Sequence, residues 1–191
     1  FRSVFPLRGK LLNVKDIDDA KVAKNEEINH LKKILGLKNN AQYGGHANQV
    51  EDWPLRYGKI LIMTDQDHDG SHIKGLVMNL FHAKWPSLLD QDFLMSMVTP
   101  IVKAFKGKKE ISFYSLQDYN AWKEKDDTKG FRIKYYKGLG TSSTMEAKMY
   151  FKELHTQTYQ FDIEKSNVAL NLAFDKKLAS QRKQWLQKYD E

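Results

Sequence analysis

The stretch Ile60-Leu61-Ile62-Met63, followed at once by Thr64-Asp65-Gln66-Asp67-His68-Asp69-Gly70, constrains this chain more than any other. A short, continuous apolar run bounded by Gly58-Lys59 is the pattern of a strand buried on both faces. Behind the acids, Ile73, Leu76, Val77, Leu80, Phe81 and Trp85 recur at helical spacing until Pro86 stops the pattern. The unit is strand, acidic loop, helix. In an open α/β sheet, ligands gather outside the carboxyl ends of strands, which is where Asp65, Asp67 and Asp69 fall. Gly70 is read as the tight turn into the helix, whose N-terminus offers a positive dipole end suited to a phosphate.

Three carboxylates at alternate positions call for a cation. At ~4 Å and an effective dielectric near 20, each like-charged pair costs about 4 kcal/mol, so without a metal the cluster would hold a proton or splay apart. Oxygen-only ligands with no cysteine nearby favour a hard ion such as Mg²⁺ or Ca²⁺ over zinc. An EF-hand is excluded, because its twelfth loop position, a bidentate Glu, is Leu76 here and no helix precedes the loop. A haloacid-dehalogenase-type phosphatase shares the Asp-x-Asp after a buried strand but expects Thr or Val where Asp69 stands. A solvated acidic turn is the blandest alternative, and a third Asp adds repulsion to it without a capping benefit.

The segment from Ile62 to Leu76 resembles the Asp-x-Asp-x-Asp segment of the Toprim domain in eukaryotic-type DNA topoisomerase II. Two further blocks agree in order and spacing: Phe5-Pro6-Leu7-Arg8-Gly9-Lys10-Leu11-Leu12-Asn13-Val14 upstream, and Lys134-Tyr135-Tyr136-Lys137-Gly138-Leu139-Gly140-Thr141-Ser142 downstream. The resemblance runs across nearly the whole chain. It implies a Toprim (Rossmann-like) α/β fold, a parallel sheet flanked by helices, with an α+β insertion or tail and a C-terminal helical linker. The expected divisions are 1–105, 106–158 with the lysine-bearing loop, and 159–191.

The function implied is the cleavage and religation centre of an ATP-dependent type IIA topoisomerase, acting on double-stranded DNA as a nuclear homodimer. Asp65 and Asp67 would be the principal Mg²⁺ ligands, with Mn²⁺ or Ca²⁺ able to substitute. Asp69 would be a further ligand or would orient the others, and Lys137 would lend electrostatic help. By family position, Lys10, Asn13, Arg182 and Lys183, with Arg8 close by, would contact the DNA backbone. Such contacts place a duplex without reading its sequence. The family's Glu-Gly-Asp-Ser motif does not occur here. Nor does any of the 9 tyrosines stand in the context of its nucleophile. ATP would bind elsewhere in the full-length protein, and this polypeptide alone is expected neither to cleave nor to relax DNA.

Composition agrees without deciding. The net charge of +7 suits a polyanionic partner, and zero cysteines rule out disulfide and thiol chemistry. No apolar run is long enough to span a membrane. Elsewhere, Val4 to Val14 reads as extended. Asn25 and Gly36 bracket a helix that turns Ile28, Leu31, Ile34 and Leu35 to a core. Asn39 to Trp53 is a loop. Leu94 to Phe105 should return to the sheet, and Gly107-Lys108-Lys109 turns a hairpin into Ile111 to Tyr114. Ser115 caps a short helix, Phe131 to Tyr136 is a half-exposed strand, and Ser143-Thr144-Met145-Glu146 is a capping box with a purely local role. Asn167 to Glu191 reads as a basic helix with Leu178, Trp185, Leu186 and Tyr189 on its packed face.

Overall fold

The computed structural model describes residues 3–44, 55–125 and 128–188. The expected loop over residues 45–53 and the packing of Tyr189 lie outside the described residues. In chain order the elements are α1 (Asp19–Ala23), α2 (Glu26–Leu35), β1 (Ile60–Ile62), α3 (His68–Lys84), β2 (Leu94–Met97), β3 (Val102–Lys106), β4 (Lys109–Phe113), α4 (Leu116–Lys123), β5 (Arg132–Tyr135), α5 (Thr144–Lys152), β6 (Thr156–Thr158), α6 (Ile163–Phe174) and α7 (Ala179–Gln187). They form one sheet of order β1-β2-β6 and another of order β4-β3-β5. The fold is mixed α/β, as expected, with neighbouring strands β1 and β2 joined through the long helix α3.

The chain divides into two compact units. One comprises Phe1–Ile60, His72–Met95 and Thr158–Glu191. Its α2 begins where Asn25 accepts a hydrogen bond from the Ile28 N–H. It ends at Gly36, whose φ of 79° is left-handed backbone that glycine adopts without a Cβ penalty. Phe81 of α3 lies fully buried, its ring centroid 5.7 Å from Trp85 and 5.6 Å from Phe93. The short helix α1, capped by Asp18, was not expected, because five residues with one buried side chain, Val22, carry no detectable period. Nor is the C-terminal segment one helix. After α6 it passes through a 3₁₀ turn at Lys176–Leu178 before α7, because Asp175, which ends α6 in extended backbone, caps a new turn by accepting from the Lys177 N–H.

The other unit comprises Leu61–Ser71 and Ser96–Gln157. In it β3 pairs antiparallel with both β4 and β5, in the registers Ala104↔Ile111 and Ala104↔Ile133. Val102, Ala104, Phe113 and Tyr119 are buried at its centre, with Trp122, Phe131 and Ile133 packed against them. The hairpin turn falls at Gly107, with a φ of 60°, and Ser115 caps α4 as expected. The expected single strand over residues 94–105 is instead two strands in different sheets, interrupted at Val98–Pro100 before Ile101. Pro100 has no N–H to give to a ladder, which breaks the pairing there. Strand β6 was missed outright, since Thr156-Gln157-Thr158 is exposed throughout and shows no alternation.

Candidate functional site

The acidic loop and the lysine-bearing loop meet within one unit. Asp65 Oδ1 accepts a hydrogen bond from the Leu139 backbone N–H at 2.7 Å, across 74 residues of sequence. Gly138 makes the approach possible. A Cβ built there would lie 2.6 Å from both Cγ and Oδ2 of Asp65, inside any tolerable contact. The φ of Gly138 is −169°, extended backbone that any residue can adopt, so the glycine is needed for space and not for conformation. Leu139–Thr141 form a 3₁₀ turn, tied by the Thr141 N–H and hydroxyl, which donate to the Gly138 carbonyl at 3.1 and 2.6 Å.

Asp67 caps α3: its Oδ1 accepts from the Gly70 N–H at 2.7 Å, and its carbonyl accepts from the Ser71 N–H. Gln66 Nε2 donates to the Met97 carbonyl at 3.1 Å and so anchors the loop to the end of β2. Gly70 sits where the loop turns into the helix, and its lack of a side chain is what lets the chain pass so close. It lies inside α3, where a Cβ would stand 2.0 Å from the Asp65 carbonyl oxygen and 3.0 Å from Thr64 Oγ1. That Thr64 hydroxyl is buried without a hydrogen-bond partner.

Asp69 falls in the first turn of α3. Alternate residues of an extended loop share a direction, but a helix starting at His68 rotates each residue by about 100° and carries Asp69 off that line. Among the described residues, no group of three His, Asp or Glu side chains reaches metal-binding spacing. The expected three-carboxylate cluster is thus not assembled in this structure. The donor chemistry still fits a hard cation. Asp65 and Asp67 each commit one carboxylate oxygen to a backbone N–H and keep the other, and Mg²⁺ is commonly held by one or two carboxylates with water and substrate phosphate completing its shell. Lys137, one residue before Gly138, is exposed.

Behind the lysine-bearing loop stands a group of charges that sequence reading assigned only a local role. Glu146 and Ser143 do form the expected capping box. The Glu146 carboxylate also accepts from the Tyr136 hydroxyl, and lies 3.4 Å from Lys134 Nζ and 3.6 Å from Lys103 Nζ. Lys103, 4% exposed, pairs with Glu110 at 2.8 Å. Its ammonium stands 5.5 Å from the Tyr136 ring centroid and 5.4 Å from that of Tyr150. Burial alone would raise the Glu146 carboxyl. Hydrogen bonds from Tyr136 and Ser143, with the Lys134 charge, instead hold it at about 2. Burial and the bond to Glu146 push the Tyr136 phenol up. The Ser-x-x-Glu pattern signals the cap, but nothing in it discloses the tyrosine or the lysines.

The residues expected at DNA divide in two. Arg8, Lys10 and Lys183 are exposed. Asn13 and Arg182 are engaged inside their unit. Asn13 Nδ2 donates to the Phe174 carbonyl at 2.9 Å, while its Oδ1 accepts from Lys15 N–H and Asn79 Nδ2. Arg182 Nη1 donates to the carbonyls of Leu172, Ala173 and Asp175 at 2.9, 3.0 and 3.2 Å, satisfying the carbonyl end of α6.

Comparison with known proteins settles the family. Residues 1–96 match the Toprim domain, and residues 97–191 the C-terminal associated domain of TOPRIM. The chain belongs to the Toprim family. It is 52% identical over 193 residues to DNA topoisomerase 2 of Arabidopsis thaliana and 49% identical over 191 residues to DNA topoisomerase 2 top-2 of Caenorhabditis elegans. Each match covers 97% of this chain but only 13% and 12% of the relatives' lengths. The crystal structure of the Plasmodium falciparum topoisomerase II DNA-binding, cleavage and re-ligation domain superposes with a TM-score of 0.87 at 44% identity, covering 97% of this chain and 25% of that one. This Toprim chain is therefore homologous to the cleavage and re-ligation region of topoisomerase II. These relatives lend no support to a phosphatase, nor to a DNA-binding scaffold without catalysis.

Proposed function

We propose that this Toprim chain supplies the metal-holding part of the DNA cleavage and religation centre of an ATP-dependent type IIA topoisomerase. One observation carries the reading: Asp65 and the Gly138-Leu139 turn, the cores of two motif blocks far apart in sequence, are in direct contact. Its partner is double-stranded DNA, its working form a homodimer, its cation Mg²⁺ with Mn²⁺ or Ca²⁺ able to substitute, and its compartment the nucleus. ATP binds elsewhere in the full-length protein. The names of the relatives and the net charge of +7 support this reading. No helix among the described residues is long and apolar enough to cross a membrane.

A bound cation would supply charge neutralisation at the scissile phosphate and at the departing ribose oxygen. Asp65 and Asp67 would be its principal ligands, and Asp69 a further ligand or a group that orients them. Lys137 offsets phosphate charge beside the Leu139 turn. Arg8, Lys10 and Lys183 contact phosphates directly, whereas Asn13 and Arg182 act by holding the backbone that presents them. The division at residues 105 and 158 belongs to the same reading, and limited proteolysis at those positions checks it. In the full-length enzyme, Asp65→Ala and Asp67→Ala are expected to abolish Mg²⁺-dependent cleavage while sparing DNA binding. Cleavage at the unmodified rate in either variant overturns the assignment. Trapping of phosphoaspartate at Asp65 would establish the phosphatase chemistry instead.

A further inference from the structure

Glu146 lies outside the acidic run, yet its contacts reach both ends of the loop that touches Asp65. Tyr136 is the last residue before residues 137–142, and its hydroxyl donates to Glu146 Oε1. Ser143 is the first residue after them, and its N–H donates to Glu146 Oε2 at 2.7 Å. A single carboxylate thus bridges the two ends of a six-residue segment. At the middle of that segment the Leu139 N–H is aimed at Asp65 Oδ1. Fixing the ends of a loop this short removes most of its freedom, so the direction of the Leu139 N–H follows from where Glu146 sits.

The surroundings of Glu146 suit this task better than they suit a simple helix cap. Its side chain is 17% exposed, and two lysines on adjacent strands, Lys103 of β3 and Lys134 of β5, neutralise it from the sheet side. Lys103 is itself held between Glu110 and the faces of Tyr136 and Tyr150. A capping box needs only the Ser143 and Glu146 exchange; the tyrosine and both lysines exceed that need. Groups that orient a metal-ligating carboxylate through its other oxygen typically affect metal affinity by tenfold or more.

We propose that Glu146 is a positioning residue for the Asp65 carboxylate, acting through Tyr136, Ser143 and the Leu139 N–H that Asp65 accepts. Its consequence for metal binding rests on the proposed role of Asp65; the positioning itself does not. Amide-resolved hydrogen exchange on the 191-residue chain in metal-free buffer tests the positioning. Exchange at Leu139 should quicken by about tenfold in Glu146→Gln and in Tyr136→Phe, the latter leaving the capping box intact. Ser143→Ala should quicken exchange in the first turn of α5 and leave Leu139 less affected than Tyr136→Phe does. Unchanged exchange at Leu139 in both Glu146→Gln and Tyr136→Phe overturns the inference.

Titration of the same amide signal with MgCl₂, without DNA, then reads the consequence. Both variants should raise the half-saturating concentration about tenfold over the unmodified chain. Faster exchange with an unmoved midpoint would overturn the link from Glu146 to metal binding. Faster exchange in the variants, together with no Mg²⁺ response in the unmodified chain, would uphold the positioning and count against the metal-holding role of Asp65.

Discussion

Replacing Gly138 by Ala tests the contact on which the site depends. The new Cβ would stand 2.6 Å from Asp65 Cγ and Oδ2 and 2.8 Å from Oδ1, so the whole carboxylate must move. Backbone strain contributes nothing, because a φ of −169° suits any residue. What is lost is the 2.7 Å bond from the Leu139 N–H to a charged acceptor, a type of bond that contributes about 1.5–3 kcal/mol. This bond is exposed to solvent, which places it at the lower end, about 1.5 kcal/mol. Ala also reduces the freedom of the unfolded chain, which offsets roughly 0.5 kcal/mol. The net loss is about 1 kcal/mol, or a fall in Tm of about 2–4 °C for a chain of this size.

Gly140, two residues on in the same loop, is the matched control, since a Cβ there meets nothing within 4 Å. Gly140→Ala should leave Tm unchanged or raise it by a degree or two, through the same unfolded-state effect. Thermal unfolding followed by near-ultraviolet circular dichroism compares the two, and MgCl₂ titration by calorimetry should show weaker binding in Gly138→Ala alone. If Gly138→Ala is as stable as Gly140→Ala and binds Mg²⁺ as the unmodified chain does, the packing of Gly138 against Asp65 is refuted.

Gly70→Ala should be more damaging, about 3 kcal/mol or more in urea unfolding, because its Cβ would meet the Asp65 backbone oxygen at 2.0 Å, an atom that cannot swing aside; a loss under about 1 kcal/mol would show that the α3 start repacks. Glu146 is held at about 2, below the ordinary carboxylate range, so its contribution is complete above that ordinary range and is lost as pH falls toward 2. Glu146→Gln should therefore lower the urea midpoint at pH 7 and lose that difference by pH 2; an equal deficit at both values would contradict the assigned partners. Arg182→Ala removes three bonds to carbonyls at the end of α6 and should cost roughly 2 kcal/mol, while the log-log salt slope of DNA binding stays the same; a slope shallower by about 0.9 would instead make Arg182 a phosphate contact.

Local chemistry carried much of the fold into the linear order of residues. The strand before Thr64 and helix α3 were legible because burial imposes a period on apolar residues, and the caps at Asn25, Ser115 and Ser143 because each satisfies N–H groups a few residues away. Strand β6 and helix α1 were not, since one is wholly polar and the other buries a single side chain. Likeness to topoisomerase II named Asp65, Asp67 and Lys137 from their neighbours in sequence. It could not separate Lys183, which faces solvent, from Arg182, which is turned inward onto α6.

Alternation of Asp65, Asp67 and Asp69 pointed to a hard cation, because charge repulsion among close carboxylates follows from spacing alone. Where α3 begins was not legible in that spacing: its start at His68 places Asp69 in the helix and leaves Asp65 and Asp67 before it. Contacts across many residues lay further out of reach. The Leu139 amide on Asp65, and the Tyr136 hydroxyl on Glu146, exist because the folded unit brings these groups within hydrogen-bonding distance, and no periodicity in the sequence records such a distance.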